Sequence, residues 1–188
     1  MALSKIDAAN FLTGTIPQGN VANASLGAVT ALPGAIATGK VLQVITSENG
    51  YGQSTTSTSM VNIESSSGTA WETAITPSAT SSKIIVMANI LMTWEQNGNA
   101  QNRGKIFLLS KTGSGSYSDN QGGELGNYDY GGSGVQSRQR VAMTFELSPS
   151  TTSAVTVKFQ YKGLGGTSCN VNDGSLHTST VFLWEKSA

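Results

Sequence analysis

Residues able to do acid–base or nucleophilic chemistry are few and scattered in this chain. His177 is the single histidine and stands in the run NDGSLHTST. Ser175, His177 and Asp173 supply the residue types of a hydrolytic triad, but side chains this close in sequence rarely face one another in triad geometry. The run reads as a loop carrying a histidine. No nucleophile elbow and no phosphate-cradling loop occurs. Glu48, Glu64, Glu72, Glu95, Glu124, Glu146 and Glu185 are dispersed, without the close pair that glycoside hydrolysis needs. One cysteine, Cys169, cannot form an internal disulfide, and one histidine cannot build a multi-histidine metal site. Asp119, Asp129 and Asp173 lie in Gly/Asn-rich stretches that could lend oxygens to Ca²⁺, yet none fits the twelve-residue calcium loop. Asn and Asp in such stretches more often make local turns. The expectation is a protein that is not an enzyme, with no cofactor and no resident metal.

The chemistry that remains is surface recognition. Residues 112–138 read TGSGSYSDNQGGELGNYDYGGSGVQSR and set tyrosines among Gly, Ser, Asn and Asp. A tyrosine ring offers contact area at low entropic cost, and its small polar neighbours offer hydrogen bonds. That combination suits a glycan, whose hydroxyls meet amides and carboxylates while its ring faces meet aromatics. Tyr117, Asp119, Asn127, Tyr128, Asp129 and Tyr130 are the candidate recognition residues, on a long structureless loop of the kind that usually carries function. Two further tips, SENGYGQSTTSTS with Tyr51 and EQNGNAQNRG, share the composition.

The elements that must position these residues are strands. From Lys40 onward eight are expected, at Val41–Thr46, Thr58–Ile63, Trp71–Thr76, Lys83–Trp94, Lys105–Lys111, Gln139–Ser148, Ala154–Lys162 and Ser179–Lys186. Two alternate cleanly: Val141, Met143, Phe145 and Leu147 oppose polar neighbours, as do Val155, Val157, Phe159 and Tyr161. Such strands have one face on a core and one in water. Two others are apolar on both faces. KIIVMANILMTW carries Ile84, Val86, Ala88, Ile90, Met92 and Trp94 on one side and Ile85, Met87 and Leu91 on the other; TVFLWEK sets Val181 and Leu183 against Phe182 and Trp184. A ribbon apolar on both sides is central in a stacked structure or covered by a neighbouring subunit. Ile85, Met87, Ile90, Leu91, Phe182 and Trp184 are therefore candidate subunit-interface residues. Together the strands predict an all-β fold, an antiparallel β-sandwich of jelly-roll type spanning residues 40–188.

Residues 1–39 differ in composition. Ile6, Phe11, Ile16, Val21, Leu26, Ala31, Ile36 and Val41 recur every five residues, a period that fits neither a helix nor a flat strand. It suits a chain that turns a corner every few residues and puts one apolar side chain inward each time. So short and Gly-rich a segment cannot bury enough surface to fold alone. It is read as an extended, repeat-like anchoring or oligomerisation arm, held by another copy or by a different protein, with Ile6, Phe11, Ile16, Val21, Leu26 and Ile36 as its contacts.

Charge narrows the partners. Lys plus Arg number 11 and Asp plus Glu number 11, so the chain is formally neutral; without a basic run it is a poor partner for a nucleic-acid backbone. No apolar stretch is long enough to span a membrane, and the start MALSKIDAANFLTG is read as lacking a secretory leader. A neutral surface rich in Ser, Thr, Asn and Gly suits a protein locked into an assembly or facing the outside medium.

The run GKVLQVITSENGYGQSTTSTSMVNIESSSGTAWETAITPSATSSKIIVMANILMTW resembles the C-terminal β-domain of tailed-bacteriophage fibre proteins, notably those of cyanophages and marine phages. The KVLQV opening strand, the TSTS turn and ITPSATSSKIIVMA carry the resemblance, and TVFLWEKS is similar to the family's last strand. The preceding LTGTIPQGNVANASLGAVTALPG resembles the low-complexity segments that join such domains to the rest of a fibre. The resemblance implies a homotrimeric virion appendage on the tail or capsid surface, exposed to the extracellular medium. It would attach to other virion proteins through its N-terminal part and display the β-domain for adhesion to the host surface. The chain departs from the family in having no long shaft, so a short tail fibre, a head fibre and a capsid decoration protein without receptor binding all stay open. A stand-alone carbohydrate-binding module is the alternative from another class.

Overall fold

The computed structural model describes residues 40–95, 102–127, 136–164, 168–174 and 178–187. The arm residues Ile6, Phe11, Ile16, Val21, Leu26 and Ile36 lie outside them, as do Tyr128, Asp129, Tyr130, Ser175 and His177. The described residues form an all-β, antiparallel, jelly-roll-like sandwich of strands β1 (Val41–Asn49), β2 (Gln53–Thr55), β3 (Val61–Asn62), β4 (Glu64–Ser66), β5 (Thr69–Ala70), β6 (Glu72–Ile75), β7 (Lys83–Glu95), β8 (Asn102–Thr112), β9 (Ser118–Asn127), β10 (Gln136–Leu147), β11 (Val155–Leu164), β12 (Ser168–Val171) and β13 (Ser179–Lys186).

In the first sheet β7 is central. It pairs with β10 along one edge, and with β13 and then β12 along the other; β1 pairs with β13 and β2 with β12. In the second sheet β11 is central, with β8 and β9 on one side and β6 and β3 on the other. The chain passes from the first sheet at β7 to the second at β8 and β9, back at β10, across at β11 and back again at β12. This interleaving places sequence neighbours on opposite layers and gives the sandwich its jelly-roll character.

One core lies between the layers. Ile84, Val86, Ile90, Met92 and Trp94 of β7 meet Ile106 and Leu108 of β8 and Val157, Phe159 and Tyr161 of β11. The period-two alternation of these strands puts every second side chain into that layer. Gly104 is one of the inward positions of β8. A Cβ there would collide with the Trp94 indole nitrogen and stand 2.9 Å from the Cys169 sulfur, so the glycine makes room for the buried indole of the opposite sheet.

Two expectations need correction, and several strands are additional. The described parts of the segment 112–138 are not a structureless loop: the chain turns after Thr112 and returns as β9, paired with β8, and β10 begins at Gln136. β2, β4, β5 and β12 are additional strands, and the segment expected as Thr58–Ile63 is a strand only at Val61–Asn62. β9 reads SDNQGGELGN, without apolar alternation. It is held by its backbone ladder to β8 at a sheet edge, which demands no apolar face.

Two polar knots lie at opposite ends of the sandwich. At the end where the chain enters at Lys40, Glu185 occupies an inward position of β13 and is 1% exposed. Its carboxylate accepts 2.6 Å hydrogen bonds from the Ser78 N–H, the Ser78 hydroxyl and the Gln43 amide. Burial alone would raise its pKa; the hydrogen bonds from Ser78 and Gln43 outweigh this and bring it from the ordinary 4.5 down to about 2. A carboxyl group whose folded pKa is depressed stabilises the fold above its unfolded value and loses that contribution as pH falls through the folded one. Chemical denaturation is thus expected to show stability declining from about pH 4.5 toward about pH 2. Glu185→Gln should cost about 2 kcal/mol at pH 7 and flatten that decline; an unchanged acid limb in the variant would disprove the assignment.

At the far end Asn172 is buried with a left-handed φ of 52°, a conformation asparagine tolerates better than most residues. Its amide donates to the carbonyls of Asn49 (2.8 Å) and Tyr51 (3.3 Å), and its oxygen accepts from the Ser179 hydroxyl at 2.6 Å. These bonds tie the turn after β1 to the turn after β12.

Candidate functional site

The outer face of the first sheet is built from three cross-strand rows. Val44 of β1, Trp184 of β13, Ile85 of β7 and Glu146 of β10 stand side by side. The next row is Thr46, Phe182, Met87 and Thr144, and the third is Glu48, Thr180, Asn89 and Ala142. Ile85, Met87, Phe182 and Trp184 are half-buried. Val41, Leu42 and Val44 extend the apolar strip to the sheet edge and are 40–48% exposed. Four of the six candidate interface residues therefore share one outer face.

The other two do not. Ile90 points into the sandwich and is 0% exposed, because even-numbered residues of β7 up to Trp94 face the core. Leu91 is in outward phase, yet it is 5% exposed. Arginines of β10 cross β7 at this level. Arg140, opposite Leu91, donates to the Thr178 carbonyl at 2.9 Å. Arg138, opposite Thr93, pairs with Asp173 at 2.9 Å and donates to the Thr93 hydroxyl at 3.3 Å. Long arginine stems cover apolar surface while their heads reach polar partners. Leu91 is roofed by its own chain and belongs to no open face.

The expected recognition loop is split. Tyr117 sits in the turn between β8 and β9, beside the end where Lys40 enters. Lys158 and Lys111 place their ammonium groups 4.2 Å and 4.6 Å from its ring centre, and Lys111 pairs with Glu72 at 3.8 Å. Burial, together with the neighbouring Glu72 carboxylate, holds the Tyr117 phenol above its usual pKa. The ring is thus laid down on the outer face of the second sheet, held by cation–π contacts. Asp119 is exposed on β9. Asn127 ends β9 opposite Asn102, at the other end of the sandwich; nine steps of about 3.4 Å separate it from Ser118.

Sequence reasoning passed over a pair of clefts at that far end. One, of about 380 Å³, opens at the seam between the sheets, where β2 and β3 face each other without pairing. Tyr51, Gln53, Thr55, Val61, Asn62, Glu64 and Tyr161 are among its lining residues. The second, of about 420 Å³, lies on the outer side of β2 against Ser54, Asn170, Asp173 and Gly174. Gly52, Gln53 and Ser54 belong to both. The signal was present in the SENGYGQSTTSTS tip, whose composition matches the longer tyrosine-rich segment.

Cys169 is fully buried, and burial pushes its thiol up to about 12, which makes it an unreactive core residue. Among the described residues no three His, Cys, Asp or Glu side chains cluster as a metal site requires, and no helix is long and apolar enough to cross a membrane.

No protein-family model matches the chain, and no curated protein matches it by sequence. Solved structures similar to it include the Eiger TNF of S. frugiperda, at 7% identity and a TM-score of 0.34, covering 55% of this chain and 60% of that one. They also include the VP2 subviral particle of infectious bursal disease virus, at 12% identity and a TM-score of 0.33, covering 78% of this chain and 38% of that one. The Gt strain of the same virus matches at 10% identity and a TM-score of 0.31, over 79% of this chain and 39% of that one. The chain spans less than two thirds of each of these structures, and likenesses at this level carry no argument about function.

Proposed function

We propose that the chain is a virion structural protein, a short fibre that attaches through residues 1–39 and displays a homotrimeric β-domain for host-surface adhesion. The observation that carries this reading is the outer face of the first sheet. Val44, Ile85, Met87, Phe182 and Trp184 form a continuous apolar strip on a surface that a lone protomer leaves open. Closed symmetry covers such a strip with the same strip of sibling copies. It also protects the long edge strands β1 and β10 from open-ended pairing. The resemblance of the KVLQV and ITPSATSSKIIVMA runs to phage fibre domains points the same way, and no catalytic step is part of the proposal. Adhesion by such a protein works through many weak contacts multiplied by the number of copies.

Light scattering on the purified chain is expected to give about three times the 19.5 kDa protomer mass. Labelled protein on intact particles should appear at the tail or capsid surface in electron micrographs. A folded species of protomer mass at micromolar concentration would refute the trimer, and absence from purified particles would refute the virion role.

A further inference from the structure

We infer that the two clefts flanking β2 form one binding site for a neutral oligosaccharide, which crosses the Gly52–Ser54 edge from the sheet seam to the hollow beside Asn170. This deepens the adhesion reading and rests on it, naming the ligand class and the surface that takes it.

Four observations lead here. The first is an unsatisfied donor. The Gln53 side-chain oxygen accepts from the Glu64 N–H at 3.1 Å, which fixes the amide, while its Nε2 is buried without a hydrogen-bond partner among the described residues. A buried donor left in that state costs about 1–3 kcal/mol. It stands in the wall shared by both clefts, where an acceptor from a ligand hydroxyl, brought in by a small shift of the lining, would satisfy it.

The second is the chemistry of the lining. Amides from Gln53, Asn62 and Asn170 and hydroxyls from Ser54 and Thr55 surround the edge, while Tyr51 and Val61 give apolar wall at the seam, over the buried Tyr161. Polar groups for hydroxyls beside aromatic and aliphatic surface for ring faces is the composition a sugar needs. The charged residues lining the clefts are Glu64 and Asp173. Asp173 is neutralised by Arg138, and the Glu64 carboxylate accepts from the Gly68 N–H. No lysine or arginine is among the lining residues described, and Arg138 at the rim is engaged by Asp173 and Thr93, which disfavours an anionic sugar or a phosphate.

The third is size and form. Clefts of about 380 and 420 Å³ fall within the range of small-molecule sites, and together they suit a chain of a few sugar rings. β2 has three residues, too short an edge to recruit a peptide strand by backbone pairing alone.

The fourth is placement. β1 runs from Val41 beside the chain entry to Asn49 at the clefts, eight steps of about 3.4 Å. The site thus lies at the end of the β-domain opposite Lys40. The floor is also pre-organised. Asn172 and Ser179 pin the turns on either side, and the Arg138–Asp173 pair holds the rim, so little ordering remains for binding.

The test uses the full chain, isotope-labelled, titrated with maltotetraose, cellotetraose, chitotetraose, mannotriose and a galactose disaccharide to about 10 mM, the weak-affinity range of single sites. Trigalacturonate and an extended octapeptide serve as contrasting probes. At least one neutral sugar should shift the amides of Gly52, Ser54, Asn170 and Gly174 and the Gln53 side-chain resonance. Gln53→Glu keeps the acceptor for Glu64 and removes the donor, and it should weaken that sugar at least tenfold; Asn170→Ala, at an accessible position, should weaken it severalfold. Silence from all five sugars, unchanged affinity in both variants, or a response to trigalacturonate or the peptide in place of the sugars would overturn the site. Each variant's trimer mass and particle incorporation are measured alongside. Loss of the sugar shifts with mass and incorporation intact removes the site and leaves the virion reading standing, whereas a monomeric wild type absent from particles removes that reading.

Discussion

Gly104→Ala is expected to destabilise the protein by about 3 kcal/mol. The new Cβ would strike the Trp94 indole and lie 2.9 Å from the Cys169 sulfur and 3.1 Å from the Lys162 carbonyl. None of the three can yield. Trp94 and Cys169 are fully buried in the core, and the Lys162 carbonyl belongs to β11, the central strand of its sheet. Overpacking here pushes the two layers apart at the end that carries the clefts. Gly68 provides the contrast: its φ is 75°, yet a Cβ would meet nothing within 4 Å. Gly68→Ala should cost only the backbone term of about 1–2 kcal/mol. Urea melts of the two variants compare steric with conformational cost, and a Gly104→Ala midpoint equal to or above that of Gly68→Ala would refute the tryptophan–glycine packing.

Phe182→Asp and Ile90→Asp should fail in different ways, although both residues lie on ribbons apolar on both faces. Ile90 is fully enclosed. A carboxylate there has no partner and no water, which costs more than the roughly 5–15 kcal/mol that typically separates folded from unfolded domains can absorb, so the variant is expected to be unfolded. Phe182 lies between Thr46 and Met87 on the outer face and is half-buried. Aspartate there can reach solvent in a lone protomer but not inside a closed assembly. Phe182→Asp should therefore remain folded by circular dichroism while its mass falls to 19.5 kDa. A folded variant of wild-type mass would show that assembly uses some other surface.

How far the primary structure reaches is plain from particular residues. The alternation of VTVKFQYK is a local property: side chains two apart must share a face of a strand, whatever the rest of the chain does. The inward set Val155, Val157, Phe159 and Tyr161 could thus be read directly, as could the two-sided character of β7 and β13. Leu91 looked equivalent to Ile85 and Met87 for the same reason. What separates them is a pair of arginines about fifty residues further along the chain, whose reach across β7 exists only once β10 is docked. β9 escaped notice because an edge strand needs only a partner's backbone, and a backbone ladder leaves no mark in side-chain type. Tyr117 and Asn127, neighbours in one tyrosine-rich segment, were parted because that segment is extended and spans the length of the sandwich.

The candidate cleft obeys the same division. Its chemistry, amides and hydroxyls around Tyr51, is local and visible in the SENGYGQSTTSTS run. Its shape comes from β2, β3, β12 and the Tyr161 floor, which are drawn together from positions up to about a hundred residues apart. Glu185 makes the point in a single residue. The phase of Val181 and Leu183 already assigned it to the core side of β13. Only the tertiary structure could bring it Ser78 and Gln43, 107 and 142 residues away. Alternation is set by the bond geometry of one strand and is therefore written in neighbouring residues. Partners across strands are chosen by how two sheets close over a shared core, a property of the whole chain that no local segment contains.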